Sequence, residues 1–139
     1  MNNSRLSKQL KRHEDLRLKP YKCTANKITI GYGRNLEQNG ITKLEAEGLL
    51  QNDIVYFFDI LPNKIEFFHL LSKPRADVLV NMAFNLGVNG LLRFKKMLAA
   101  VEAGDYLTAS KEMLNSKWAE QTGDRALELS MQMEKGEYM

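Results

Sequence analysis

His13-Glu14-Asp15-Leu16-Arg17-Leu18-Lys19-Pro20-Tyr21-Lys22-Cys23, followed after a short polar stretch by Thr29-Ile30-Gly31-Tyr32-Gly33-Arg34, is where the chain changes its hydrophobic period. Upstream, Leu6, Leu10 and His13 to Leu16 recur at helical spacing in a basic stretch. That pattern predicts an amphipathic helix from about Ser4 to Asp15, capped by Ser4 or Asn3. Downstream, Pro20 is incompatible with a helix interior, and Lys27-Ile28-Thr29-Ile30-Gly31-Tyr32-Gly33 alternates β-branched or aromatic residues with small ones. The expected structure is a short antiparallel sheet turning at Thr24-Ala25-Asn26-Lys27. An acid, Glu14, thus ends a helix; a thiol, Cys23, sits nine residues on; and a hydroxyl, Thr29, follows six later on a strand. A hairpin folded at that turn would bring Cys23 near Thr29, facing the end of the first helix.

Everything after Gly40 reads as helix. Thr42-Lys43-Leu44-Glu45 is a capping box, with a hydroxyl at the N-cap and a carboxylate three residues later. It opens a helix expected from Lys43 to Leu61 and stopped by Pro62; at about 1.5 Å per residue it spans about 28 Å, long enough to join two lobes. Phe57-Phe58 and Phe67-Phe68 read as core packing rather than a ligand platform. Ser72 and Pro74 open an apolar helix, Arg75 to Leu86, capped by Gly87 and expected at the centre of the larger lobe. Three more helices are expected: Leu91 to Ala103 closed by Gly104, one capped by Asp105 and ending near Ser116, and one capped by Thr122 that runs from Gly123 to Lys135 before Gly136.

The totals bound the class. A chain of 139 residues, 44% apolar and 27% charged, suits one globular domain and excludes disordered and fibrous architectures. Net charge is +3, yet residues 1–27 carry eight Lys or Arg against Glu14 and Asp15, which makes that segment +6 and the remainder −3. Such a face is either a solvated helix surface or an attraction for a polyanion. No nucleic-acid motif accompanies it, so a nucleic-acid partner is not expected. Cys23 is the only cysteine, which excludes an intrachain disulfide and a thiolate zinc site, and His13 and His69 are not spaced as metal ligands. No metal is expected from these residues. Neither a secretory signal nor a run of 18 apolar residues is present, so no stable membrane insertion is expected.

Glycoside hydrolysis needs a proton donor for the leaving oxygen and a second group, across the sugar ring, to activate water or stabilise an oxocarbenium-like transition state. Glu14 is the natural donor, although alone it reads first as a surface acid. With Glu14, eight intervening residues, Cys23, five intervening residues and Thr29 within Thr-Ile-Gly-x-Gly, the sequence resembles the phage-type lysozymes of glycoside hydrolase family 24. Asp15-Leu16-Arg17-Leu18-Lys19-Pro20-Tyr21-Lys22, Gly40 to Glu47, Asn81 to Gly87 and Trp118 to Ala126 extend the likeness to about Leu10–Gly136.

That resemblance implies an α+β, predominantly helical fold across residues 1–139. It would have a small β lobe at about 14–42, a connecting helix at 43–61, and a helical lobe of 62–139 plus the first helix, with a cleft between the lobes. It implies Glu14 as general acid, Cys23 as the group that activates or orients water or stabilises charge, and Thr29 as a hydrogen-bonding partner of that water. Arg125 would stand against Glu14, and Phe84, Asn35, Gly33 and Tyr32 would support the cleft. The implied reaction is hydrolysis of the β-1,4 bond between N-acetylmuramic acid and N-acetylglucosamine of peptidoglycan, with no metal or cofactor. The implied setting is a monomeric endolysin made in the host cytoplasm and released to the wall by a holin. Three features depart from the family pattern: Cys23 in place of the commoner Asp, Arg34 where many members have His, and the short connection over residues 34–42. The thiol keeps open an alternative, a catalytically silent domain that only binds peptidoglycan.

Overall fold

The computed structural model describes residues 3–139. Contacts group the chain into two units, Met1–Leu49 and Leu50–Met139, with the border inside a long helix. This grouping counts the first helix with the strands, whereas the lobe boundaries expected from sequence put it with the helical part.

In the first unit, α1 (Ser4–His13) ends one residue before Glu14, whose extended backbone breaks the helix while its N–H still donates to Leu10 O at 2.8 Å. Asn3 holds the N-cap position, but its backbone lies outside the extended region, and its side chain makes no capping bond. Strands β1 (Arg17–Lys22), β2 (Ile28–Gly31) and β3 (Arg34–Asn35) form an antiparallel sheet in that order. Tyr21 pairs with Thr29 and Lys22 with Ile28, but the register shifts between Arg17 and Tyr21, the interval that contains Pro20. Proline has no N–H for the ladder, so it sits where an edge strand bulges. The turn closes through Asn26 N–H to Cys23 O at 2.8 Å and Cys23 N–H to Lys27 O at 3.0 Å. Asn26 takes a φ of +61°, a left-handed conformation that asparagine tolerates.

A short helix absent from the sequence reading, α2 (Leu36–Asn39), follows; the Asn35 side chain caps it by accepting from Gln38 N–H at 3.0 Å. The capping box forms as expected: Glu45 N–H donates to Thr42 Oγ1 at 3.1 Å, and Thr42 N–H donates to Glu45 Oε1 at 2.9 Å. It opens α3 (Lys43–Lys64), which runs past Pro62 instead of stopping before it. Pro62 stands in the last turn, where the missing donor costs one bond, and the ladder resumes with Ile65 N–H to Leu61 O at 2.8 Å.

Arg34 grips Glu45 with two parallel bonds of 2.9 Å and also donates to Gly40 O, tying β3 to the start of α3. The Arg34 guanidinium, helped by the Thr42 amide, holds the Glu45 carboxyl down to about 2. The stabilisation is therefore complete above the ordinary carboxylate value of about 4.3 and is lost as pH falls through about 2. Acid titration of the wild type followed by circular dichroism should show this loss, and Glu45→Gln should flatten that part of the curve.

The second unit contains a 3-10 helix (Phe68–Leu70), α4 (Lys73–Leu92), α5 (Lys95–Glu102), α6 (Tyr106–Leu114), α7 (Lys117–Thr122) and α8 (Asp124–Lys135). Its core includes the fully buried Leu61, Val78, Leu79, Met82, Leu91 and Met113, and the phenylalanine pairs pack into or against it as expected. In the first unit, by contrast, Thr29 is the one buried residue among those described.

Gly87 breaks α4 with φ 78° and ψ 162°, so the predicted cap is real, but a further helical turn carries on to Leu92. The expected helix from Leu91 to Ala103 is consequently divided, Leu91 and Leu92 closing α4 before α5 begins at Lys95. Asp105 caps α6 through the Thr108 amide, as predicted. The sequence reading missed α7, whose N-cap is Ser116, accepting from Ala119 N–H at 3.1 Å. Thr122 is not the cap of the last helix: its hydroxyl donates back to Trp118 O, and Gly123, at φ 57°, makes the turn into α8.

Arg75 fixes the far end of α8. Its guanidinium donates to Met133 O at 2.7 Å and Glu134 O at 2.9 Å while stacking on Tyr106. Cationic donors on the last carbonyls of a helix act on its negative end. Arg75→Ala should lower stability by about 2 kcal/mol, read as a shift in the urea midpoint without change in slope.

Candidate active site

Three backbone devices place the chemistry of the first unit. The break after α1 presents Glu14 as an exposed side chain at the helix end. Between β2 and β3 the chain passes Gly33 at φ 78°, and a Cβ built there would stand 3.0 Å from Glu14 Cδ and 3.0 Å from Oε2. Any side chain at residue 33 would therefore displace the carboxylate. Beside it, Tyr32 is exposed and has the Lys11 ammonium 5.5 Å from its ring centre.

The hairpin turn brings Cys23 and Thr29 together, as the spacing predicts. Thr29 is only 3% exposed, and its hydroxyl donates to Lys27 O at 2.8 Å. The Lys27 amide first, then the Thr29 hydroxyl and the Ala25 amide, hold the half-buried Cys23 thiol below its ordinary range. A threonine hydroxyl carries a single proton. While that proton serves Lys27 O, the oxygen can accept from the neutral thiol; when the thiol ionises, the hydroxyl can rotate and donate to sulfur. Thr29 is thus able to partner both states of Cys23.

Asn35, expected to support a cleft, has its side-chain oxygen committed to capping α2. In the second unit, Phe84 and Arg125 line a cavity of about 370 Å³ together with Asn81 and Phe58. Phe84 meets Phe57 edge to face at 6.2 Å. Arg125 donates from Nε at 2.9 Å and Nη2 at 2.7 Å to Asn81 Oδ1. Asn81 was not singled out by sequence reasoning, and the signal available was its place in the Asn81-Met82-Ala83-Phe84 run one helical turn before Phe84. The Lys27 backbone groups were also missed, because a motif of side chains cannot reveal them. Among the described residues, no group of three or more His, Cys, Asp or Glu side chains is placed to hold a metal ion.

The arrangement supplies one exposed carboxyl group and one thiol whose proton affinity is lowered by the hydrogen bonds around it. The sequence model of the family described as Phage lysozyme matches residues 11–133. An endolysin of Acyrthosiphon pisum secondary endosymbiont phage 1 is 33% identical over 119 residues, covering 84% of this chain and 80% of that protein. Probable T4-type lysozyme 1 of Dictyostelium discoideum is 30% identical, with 88% and 89% covered. The pre-baseplate central spike protein Gp5 of Enterobacteria phage T4 is 30% identical over 93% of this chain, which corresponds to 27% of that longer protein.

Proposed function

The chain belongs to the phage lysozyme family and is a glycoside hydrolase, and from that premise we propose that it cuts the β-1,4 bond between N-acetylmuramic acid and N-acetylglucosamine in bacterial peptidoglycan. Glu14 protonates the glycosidic oxygen as the bond to the anomeric carbon breaks. Water attacks that carbon, and the Cys23 thiolate takes its proton, with Thr29 holding the thiolate in place. The observation that carries the proposal is the set within the first unit: a carboxylate seated against Gly33, where an added Cβ would stand 3.0 Å from it, and a thiol whose proton affinity is lowered by the Lys27 amide and Thr29.

Arg125 is assigned the task of keeping a cationic group oriented in the second unit, fixed by Asn81, and Phe84 a stacking surface for sugar. The biological reading is that of an endolysin whose partner is peptidoglycan, acting as a monomer on the wall of the host after a holin has opened the way, and ending in host lysis. Clearing of permeabilised bacterial cells by wild type and by Glu14→Gln is the direct test. Equal clearing by the two would remove Glu14 from the mechanism.

A further inference from the structure

A groove of the second unit, about 620 Å³, lies where α4 gives way to α5 and faces the start of α7. Its floor is apolar, formed by Leu86, Phe94, Met97 and Trp118. Phe94 and Trp118 pack edge to face at 6.0 Å, and the Trp118 indole N–H is held by Asn85 Oδ1 at 2.8 Å.

The rim is cationic. Arg93, Lys95, Lys96 and Lys117 line the groove against one carboxylate, Glu112. None of these four cations is in an ion pair among the described residues, where the three pairs formed use Lys27, Arg34 and Lys73. The first turn of α5 opens into the same groove with neither a capping side chain nor an acid in it.

We propose that this groove binds a phosphate group carried on a sugar or similar neutral body. The phosphate is held by Arg93, Lys95, Lys96 and Lys117, and the neutral body rests on the partly exposed Phe94, against which the buried Trp118 packs. A phosphate monoester carries about −1.5 to −2 charge and three acceptor oxygens, which suits four unpaired cations better than the single charge of a carboxylate does. The site lies in the second unit and is independent of the role assigned to Glu14.

Trp118 is the only tryptophan in the chain, so intrinsic fluorescence reports on this groove alone. The full chain should be titrated at constant ionic strength with inorganic phosphate, glucose 6-phosphate and the tripeptide Ala-Glu-Ala. Both phosphates should give a saturable change, the sugar phosphate at lower concentration, and the tripeptide none. The double variant Lys95→Gln/Lys96→Gln should weaken phosphate binding about tenfold and, since both residues are exposed, keep the wild-type melting curve. No saturable response to either phosphate, an undiminished response in the double variant, or tripeptide binding as tight as that of phosphate would each overturn the proposal. Equal affinity for inorganic phosphate and the sugar phosphate would assign the groove to the free ion and overturn the neutral body.

Discussion

Glu14→Gln should reduce the clearing of permeabilised cells by about 10²–10⁴-fold, with the fall in kcat rather than in KM. Glutamine keeps the size of the side chain and its fit against Gly33 but has no proton to give the leaving oxygen. Because Glu14 is exposed and lies just outside α1, the substitution removes no packing, and the folded signal should match wild type. Gly33→Ala tests the same carboxylate from the other side. Its methyl would meet Glu14 Cδ at 3.0 Å and would have to adopt a φ of 78°. It should therefore lose activity through misplacement of Glu14, together with about 1–2 kcal/mol of stability from backbone strain. Full activity in both variants would mean that the acid lies elsewhere.

How far the fold was legible follows from what kind of signal each element carries. Reciprocal side-chain signals were read correctly: the Thr42–Glu45 box forms both its bonds, and Asp105 caps α6. Errors fell where a residue has two local uses. Ser116 was read as a helix end and Thr122 as a cap, but the short helix between them reverses both, with Ser116 accepting from the Ala119 amide and Thr122 bonding backwards to Trp118 O. Pro62 was read as a stop, yet a proline in a final turn forfeits only one hydrogen bond, and the buried Leu61 beside it keeps the helix in register with the core.

The candidate site shows the same division. The spacing of Glu14, Cys23 and Thr29 was enough to anticipate a helix end and a hairpin that brings the last two near each other. It could not show that Thr29 is buried, that backbone amides of Lys27 and Ala25 favour the thiolate, or that Gly33 is the residue against which the acid sits. Those facts depend on where the main chain turns, and at Asn26 and Gly33 it turns through positive φ. Arg34 illustrates the converse. Its departure from the family's usual histidine carried no obvious meaning in sequence, but the structure gives it a bidentate hold on Glu45.

Alkylation of Cys23 with iodoacetamide should abolish lysis if the proposed role holds, because the adduct would fill the place assigned to the attacking water. The pH dependence of the labelling rate supplies a separate measure of the site. Since the Lys27 amide, Thr29 and the Ala25 amide lower the proton affinity of the thiol, labelling should reach half its maximal rate below the ordinary thiol value of about 8.5. Thr29→Val, which keeps the shape but removes the hydroxyl, should move that midpoint upward. Substitution then separates the possible roles. Cys23→Asp should retain lysis, because a carboxylate can also take a proton from water or face a developing positive charge. Cys23→Ser should lose most of it, since a hydroxyl does neither at neutral pH. Full lysis after verified labelling, or an active serine variant beside an inactive aspartate one, would show that residue 23 only fills space. The proton would then have to leave the attacking water by a route that does not pass through the hairpin.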